Sequence, residues 1–266
     1  MSKGFRCAAL AVALLCAGPV LAQSIEEDLD WIIRIDPSRN TVAALAEFDN
    51  GISLVSRCVD KSYDLIIDGV PEASGVSREL RVTVGDEEPF LTTWTVGQPR
   101  TSAFSRVPAR IARELMAGGT LKIQVPAGPN QRPMTFVMEL DPSSTAVRQT
   151  LTACNIPLVD TRYDQYGDES SEGLGNDLEW ARAPRPEFPA PVNGRSPAIG
   201  YAAVSCIAMP NGEMTQCIVE SEQPAGYGLG QSVLSSMRRS RVKSSDPSTP
   251  IGIPRTVVFQ ANFQMK

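Results

Sequence analysis

The feature that most constrains this chain is a stretch with a period of two in its final third. An apolar, β-rich run over residues 201–209 is followed by a Pro-Asn-Gly-Glu turn at residues 210–213 and by a second such run over residues 214–220. Alternation of this kind predicts strands, and Asn-Gly favours a tight hairpin turn because both residues tolerate positive φ. We therefore predict a β-hairpin centred on Asn211 and Gly212.

This hairpin places two cysteines opposite each other. With the turn so centred, Cys206 on the first strand faces Cys217 on the second, and Val204 faces Val219. Directly opposed residues of an antiparallel pair lie within the distance that a disulfide needs. We predict a Cys206–Cys217 bond.

The N-terminus predicts export. Lys3 and Arg6 precede an uncharged run of about 15 residues that leads to a signal-peptidase site at Ala22. We expect cleavage after Ala22 and a periplasmic mature protein that does not span the membrane. The alternative, an uncleaved anchor helix, needs about 20 apolar residues. A lipoprotein at Cys16 lacks the small preceding residue that its processing requires.

Charge and cysteine content follow from this cleavage. Removing Lys3 and Arg6 takes the formal net charge from −5 to −7, which leaves no electrostatic footprint for nucleic acid. Four cysteines remain, and an even number in an exported chain predicts two disulfides. Three pairings are open by count; the hairpin selects Cys206 with Cys217 and leaves Cys58 with Cys154. We interpret both as structural because the chain has no Cys-x-x-Cys motif.

Residues 23–156 predict a β-rich domain. Short alternating runs separated by turn residues favour a β-sandwich-like arrangement, either a two-sheet sandwich or a curled antiparallel sheet. The predicted strands include residues 52–55, 63–67 and 90–96, the run of Leu80, Val82 and Val84, and a pair in which Leu121, Ile123 and Val125 lie beside Phe136, Met138 and Leu140.

Two short helices are predicted within the same domain. Pro108 begins a helix with Ile111 and Leu115 on its apolar side, which ends at Gly118-Gly119. The second has Ser143 or Ser144 as its N-cap, carries Val147 and Leu151, and ends at Cys154.

The composition changes over residues 157–183, which predicts a flexible acidic linker. The linker joins this domain to a C-terminal domain over residues 184–266, and residues 1–22 are the predicted signal peptide. Calcium binding by the linker is disfavoured because the Asp-x-Asp-x-Asp-Gly spacing is absent. The acidic residues of this segment are Asp160, Asp164, Asp168, Glu169, Glu172, Asp177 and Glu179.

The chain lacks the residues of common catalytic sites. It has no histidine, Ser-x-x-Lys pair or Walker loop. Gly226-x-Gly228-x-Gly230 departs from the dinucleotide-binding spacing, and a tight turn explains it better. A carboxylate pair that hydrolyses glycosides stays open, without an aromatic-rich groove to support it. We expect a non-enzyme that needs no cofactor or metal.

The end of the chain predicts a helix and a closing strand. Leu229, Val233, Leu234 and Met237 recur at helical spacing, and residues 256–265 alternate again. Together with Phe188-Pro189, the Pro-Asn-Gly turn and the hairpin, this order resembles the C-terminal domain of TonB, in a variant with a cysteine on each hairpin strand. The resemblance covers about residues 184–266 and implies a ββαβ fold.

The resemblance also implies a function. TonB-like sheets accept an extended peptide along an edge strand, so we expect a non-catalytic binding or adaptor protein that docks an envelope protein or peptide, or a second copy, by strand addition. The alternative is a TonB-type energy transducer for outer-membrane receptors, which needs an anchor and a long spacer. The candidate partner-binding residues are Val257, Phe259, Gln260, Asn262 and Phe263 on the closing strand and Arg238, Arg239 and Arg241 after the helix.

The basic residues after the helix have two interpretations. Arg238, Arg239, Arg241 and Lys243 can complement the negative C-terminal end of the helix dipole, which is the ordinary explanation for such a position. They can also form a docking surface for an acidic partner or an anionic envelope component. The sequence leaves both open.

Overall fold

A computed structural model describes residues 31–128, 132–141, 145–166 and 173–265. The predicted signal peptide, the proposed caps Ser143 and Ser144, and acidic residues 168, 169 and 172 lie outside these ranges. The described chain is strand-rich with antiparallel sheets and a few helices, which confirms the predicted fold class.

The N-terminal half is built on one nine-stranded antiparallel sheet in the order β1-β2-β3-β4-β7-β6-β5-β8-β9. The predicted pair β8–β9 is confirmed, with Leu121 opposite Met138 and Ile123 opposite Phe136. The strands are β1 Ile32–Asp36, β2 Thr41–Glu47, β3 Ser53–Val59, β4 Ser62–Asp68, β5 Ser77–Val84, β6 Phe90–Val96, β7 Ala103–Ser105, β8 Gly119–Val125 and β9 Met134–Leu140.

This sheet curls on itself. The side-chain amide of Asn50, between β2 and β3, donates to the carbonyl of Val137 on β9 at 3.1 Å, although these strands lie near opposite ends of the sheet. Side chains from both ends share one buried core. Of the two predicted arrangements, the structure therefore has the curled sheet and lacks separate sandwich layers in the described ranges.

Two helices line the core of this half as predicted. Helix α1 (Pro108–Leu115) buries Ile111 and Leu115, and helix α2 (Thr145–Ala153) buries Val147 and Leu151. Directly after α2, Cys154 is bonded to Cys58 on β3, with an S–S distance of 2.08 Å. The predicted pair closes a large loop and fixes α2 to the sheet.

The segment predicted as a flexible linker is partly ordered. Its described residues include helix α3 (Thr161–Tyr166) and strand β10 (Leu178–Arg182). Leu178 lies in the C-terminal core, and Arg162 is buried beside Asp160. The prediction of an unstructured segment is wrong there because its charges are paired within the protein; the domain boundaries stay a prediction.

The C-terminal half contains a three-stranded antiparallel sheet in the order β12-β11-β14, with one helix packed on it. The predicted order of strand, strand, helix and strand is present, with one additional short strand, β13, that pairs with β10. The elements are β11 Ile199–Ala208, β12 Met214–Gln223, α4 Leu229–Met237, β13 Arg241–Ser244 and β14 Arg255–Gln264.

The hairpin turn differs from the prediction. A three-residue loop joins the strands: the amide of Gly212 donates to the carbonyl of Met209 at 2.8 Å, and Gly212 has φ +80°. Asn211 stays outside the positive-φ region and instead accepts from the amide of Glu213 at 3.0 Å. This is the turn followed by a left-handed residue that three-residue hairpin loops use.

The register of the hairpin also differs. Val204 faces Val219 as predicted, but bulges interrupt the ladder on both sides of this region. Cys206 lies opposite a bulge that contains Gln216, at φ +49°, and Cys217. The predicted disulfide is present, with a Cα–Cα distance of 4.1 Å. The prediction of a constant register along the hairpin was wrong, because alternation of apolar and polar residues does not reveal an extra residue in one strand.

One face of the three-stranded sheet packs against the N-terminal half. Val107, Ala203 and Val258 form a small buried cluster between the halves. Arg106 lies 5.4 Å from the ring of Tyr201, and its carbonyl accepts from the hydroxyl of Ser221 at 2.9 Å. The sheet is therefore covered by α4 on one face and by the N-terminal half on the other.

Candidate functional site

The apolar candidates on β14 are core residues. Val257 is fully buried and Phe263 nearly so. Phe259 is half-buried and makes an edge-to-face contact with Trp180, at 5.6 Å between ring centroids. Assigning the side chains of Val257 and Phe263 to partner binding was wrong, because the register of β14 turns odd-numbered residues toward α4; Phe259 stays partly accessible.

The polar candidates lie on the other face of β14. Gln260 is half-buried, and its side-chain oxygen accepts a hydrogen bond from the guanidinium of Arg106. Asn262 and Gln264 are exposed. Gln260 therefore joins the two halves, whereas Asn262 stays accessible.

The outer edge of β14 is only partly covered. Val258 exchanges two backbone hydrogen bonds with Gly173, at 2.9 and 3.3 Å. Because backbone groups alternate in direction along a strand, those of Gln260, Asn262 and Gln264 also point outward. In the described part of the chain no strand pairs with these three positions. They form the open edge of the sheet.

A small cavity of ≈330 Å³ lies where Gly173 leaves the sheet. Leu174, Trp180 and Phe259 supply its apolar lining, and Gln260 lies at its border with the open edge. The unpaired backbone groups of β14 thus lie beside a cavity that has room for one apolar side chain.

The predicted basic cluster is divided between two elements. Arg238 and Arg239 are exposed directly after α4, as expected. Arg241 and Lys243 instead lie on β13 and form ion pairs with Glu213 at 3.1 Å and Glu179 at 2.7 Å, respectively. Their assignment to the helix end was wrong because a new strand begins at Arg241.

The glycine-rich turn before α4 holds one of the protein's own carboxylates. Glu222 accepts hydrogen bonds from the amides of Gly226 and Gly230, both at 2.8 Å. Gly226 and Gly228 have positive φ. Glu222 therefore occupies the amide of Gly230 in the first turn of α4, which is a position that a phosphate would use.

A cleft of ≈600 Å³ lies between the two halves, beside β12. Arg162 of α3 donates to Asp160 at 2.7 Å and to the carbonyl of Gln216 at 2.9 Å, and it lies 3.5 Å from Glu220. Ser205 donates its hydroxyl to Glu220. The sequence carried no signal for this network, since its members are separated along the chain and Asp160 was assigned to a linker.

Burial acts differently on the two carboxylates of this network. Burial raises the pKa of Glu220, and the hydrogen bond from Ser205 and the charge of Arg162 only partly offset that effect. Burial also acts to raise the pKa of Asp160, but the hydrogen bonds and charge of Arg162 outweigh it and lower that pKa. Arg162 thus stabilises the charged form of Asp160 more than that of Glu220.

Within the described ranges, no group of three His, Cys, Asp or Glu residues is arranged to hold a metal ion. None of the helices described here has the length and apolar content that crossing a bilayer requires.

Comparison with known proteins gives one weak structural likeness. No protein-family profile and no curated protein matches the chain. Among solved structures, the solution NMR structure of the Pseudomonas aeruginosa TonB C-terminal domain is similar at 19% identity, with a TM-score of 0.31 over 36% of this chain and 97% of that chain. The predicted family resemblance is supported only as a loose one.

Proposed function

We propose that this chain is a non-catalytic binding protein that accepts an extended segment of a partner as an additional strand on β14. The observation that supports this most directly is the open edge at Gln260, Asn262 and Gln264, which continues a strand that already pairs with Gly173 at Val258. Unpaired edges are templates for strand addition.

Backbone bonds would supply most of the affinity. Each hydrogen bond contributes about 0.5–1.5 kcal/mol net, so a partner at three edge positions binds weakly unless its side chains add contacts. The cavity beside Trp180 and Phe259 suits one apolar side chain of such a partner. We therefore expect the edge to accept partners of many sequences, with a preference for an apolar residue at the one position that faces the cavity.

The partner is an envelope protein or peptide if the chain is exported as its N-terminus predicts. Two disulfides fit a protein outside the cytoplasm. A second copy of the chain could use the same edge; analytical ultracentrifugation of the parent would then show a dimer that dissociates in the variant Asn262→Pro.

The proposal is tested with the variant Asn262→Pro in the full chain. The amide of Asn262 points outward, so proline removes no bond to β11 and should change stability by about 1 kcal/mol or less. It blocks an added strand by removing a donor and placing a ring at the edge. Titration calorimetry with a panel of extended peptides, TonB-box sequences included, should show binding to the parent protein and loss in the variant.

Asn262→Val is the matched control, because it changes the side chain and keeps the amide. It should bind the same peptides as the parent. Equal binding by the proline variant, or no peptide bound by the parent, would count against strand addition.

A further inference from the structure

We propose that a cavity at the end of α4, whose lining shares no residue with that of the cavity beside β14, binds the phosphate group of a small soluble phosphate ester. Arg182, Arg185 and Arg239 line this arginine cavity, which encloses ≈560 Å³. Arg182 and Arg185 come from β10 and the extended segment after it, and Arg239 follows α4. Residues distant in the sequence thus meet at one concave surface.

The three arginines are exposed and have no acidic partner among the residues that the structure describes. This differs from nearby Arg241 and Lys243, each of which forms an ion pair. Glu187 lines the cavity but makes no ion pair with the arginines. In a chain with a formal net charge of −5, an uncompensated group of three cations is a local exception.

The charges of Arg182 and of its neighbour across the strands are compensated differently. Arg182 lies opposite Arg241 in the antiparallel register of β10 and β13. Arg241 is paired with Glu213, whereas no described carboxylate pairs with Arg182. An anion bound in the cavity would supply the opposite charge that Arg182 lacks there.

The backbone that presents the arginines is held in place. Pro184 is buried between Arg182 and Arg185, and Ser232 of α4 donates its hydroxyl to the carbonyl of Glu187. Prolines limit backbone freedom, so less entropy is lost when a ligand binds.

A phosphate ester fits this cavity better than an extended polyanion. Guanidinium groups bind phosphate oxygens in bidentate fashion, and three of them can serve the oxygens of one dianion. Ala181 and Ala183 contribute small side chains to the lining, so the volume leaves room for the organic part of the ligand. The negative charge of the whole chain opposes long-range attraction to nucleic acid or an anionic membrane.

The test is titration calorimetry of the full chain with glycerol 3-phosphate, inorganic phosphate, an acidic peptide and vesicles of anionic lipid. We expect saturable binding of glycerol 3-phosphate that weakens at least about tenfold in Arg185→Gln and in Arg239→Gln. Arg34→Gln, at an exposed arginine on β1, is the matched control and should bind as the parent does. Circular dichroism should show all variants folded.

Three results would overturn the proposal. Binding of the ester that survives in both cavity variants would place the ligand elsewhere. Inorganic phosphate that binds as tightly as the ester would remove the ester as the ligand class. Preferential binding of the peptide or the vesicles would assign the cavity to a macromolecule.

Discussion

The two edges of the C-terminal sheet meet very different environments. Strand β12 packs beside the N-terminal half, where Glu220 is buried and Arg162 caps the carbonyl of Gln216. Strand β14 is covered at Val258 and leaves three outward positions open. Among the described residues, a charged side chain occupies a backbone carbonyl at the β12 edge, whereas no strand pairs with the three outward positions of β14.

This difference teaches that closing an edge with charged groups has an energetic cost. Isolated charges are expensive to bury, and even a paired carboxylate at β12 loses hydration. The variants below separate the contributions of the two edges to stability, from the largest expected effect to the smallest.

Removing Arg162 should have the largest effect. Arg162→Ala removes the hydrogen-bonded cation of Asp160 and the cation beside Glu220, and leaves Arg113 at 3.7 Å from Asp160. Breaking a buried pair in this way costs about 3–5 kcal/mol. Urea denaturation measures the loss. Arg241→Ala, which breaks the half-exposed pair with Glu213, is the control and should lose about 1 kcal/mol or less. Equal losses in both variants would show that the network does not stabilise the covered edge.

Removing the hairpin disulfide should have the next largest effect. Cys206→Ala with Cys217→Ala opens a loop with a sequence separation of 11 residues. The chain-entropy model predicts a loss of about 3 kcal/mol for a loop of this length. Thermal unfolding of the variant against the oxidised parent measures it, and mass mapping of the parent confirms the bond. An unchanged melting temperature would contradict a structural role.

Replacing Glu220 should stabilise the protein. Glu220→Gln keeps a side chain that can hydrogen-bond to Ser205 and removes a buried charge, which we expect to add about 1–2 kcal/mol at neutral pH. Because the folded pKa of Glu220 is raised, its favourable contribution is present below the ordinary carboxyl pKa and is lost as pH rises through the raised value.

The advantage of Glu220→Gln should therefore grow with rising pH and vanish in acid. Denaturation at a series of pH values measures it, with Glu213→Gln as the control on the exposed pair. A variant that is less stable than the parent at neutral pH would show that the ionised carboxylate contributes more through Arg162 than its burial costs.

The open edge should have the smallest effect on stability. Asn262→Ala and Gln264→Ala remove exposed side chains whose backbone groups point outward, and surface changes of this kind stay within about 0.5 kcal/mol. The same urea series measures them. A larger loss would show that these side chains make stabilising contacts and would count against an open edge.

Local patterns predicted much of the fold. Alternation identified β8, β9, β11, β12 and β14, and Pro108 marked the start of α1. These predictions succeeded because turns, caps and side-chain periodicity depend on residues close in sequence. The hairpin bulge escaped prediction, since the extra residue at Gln216 leaves the composition of the strand unchanged.

The candidate sites were predicted less well. The sequence pointed to the strand that lies at the sheet edge, but it assigned Val257 and Phe263 to a partner when they are buried in the core. It grouped Arg239 with Arg241, although the structure groups Arg239 with Arg182 and Arg185. In each case the sequence identified the type of residue that the segment carries, but it did not reveal which residues pack against that segment in the folded chain.

The sequence by itself determined the strand-rich class, the hairpin and the cysteine pairs, because each follows from spacing along one short segment or from counting. Only the tertiary structure decided which face of β14 is buried, which edge is open, and where Arg162, Glu220 and the three cavity arginines meet. Those features depend on contacts between residues far apart in the chain, and charge pairing and burial are properties of that packing.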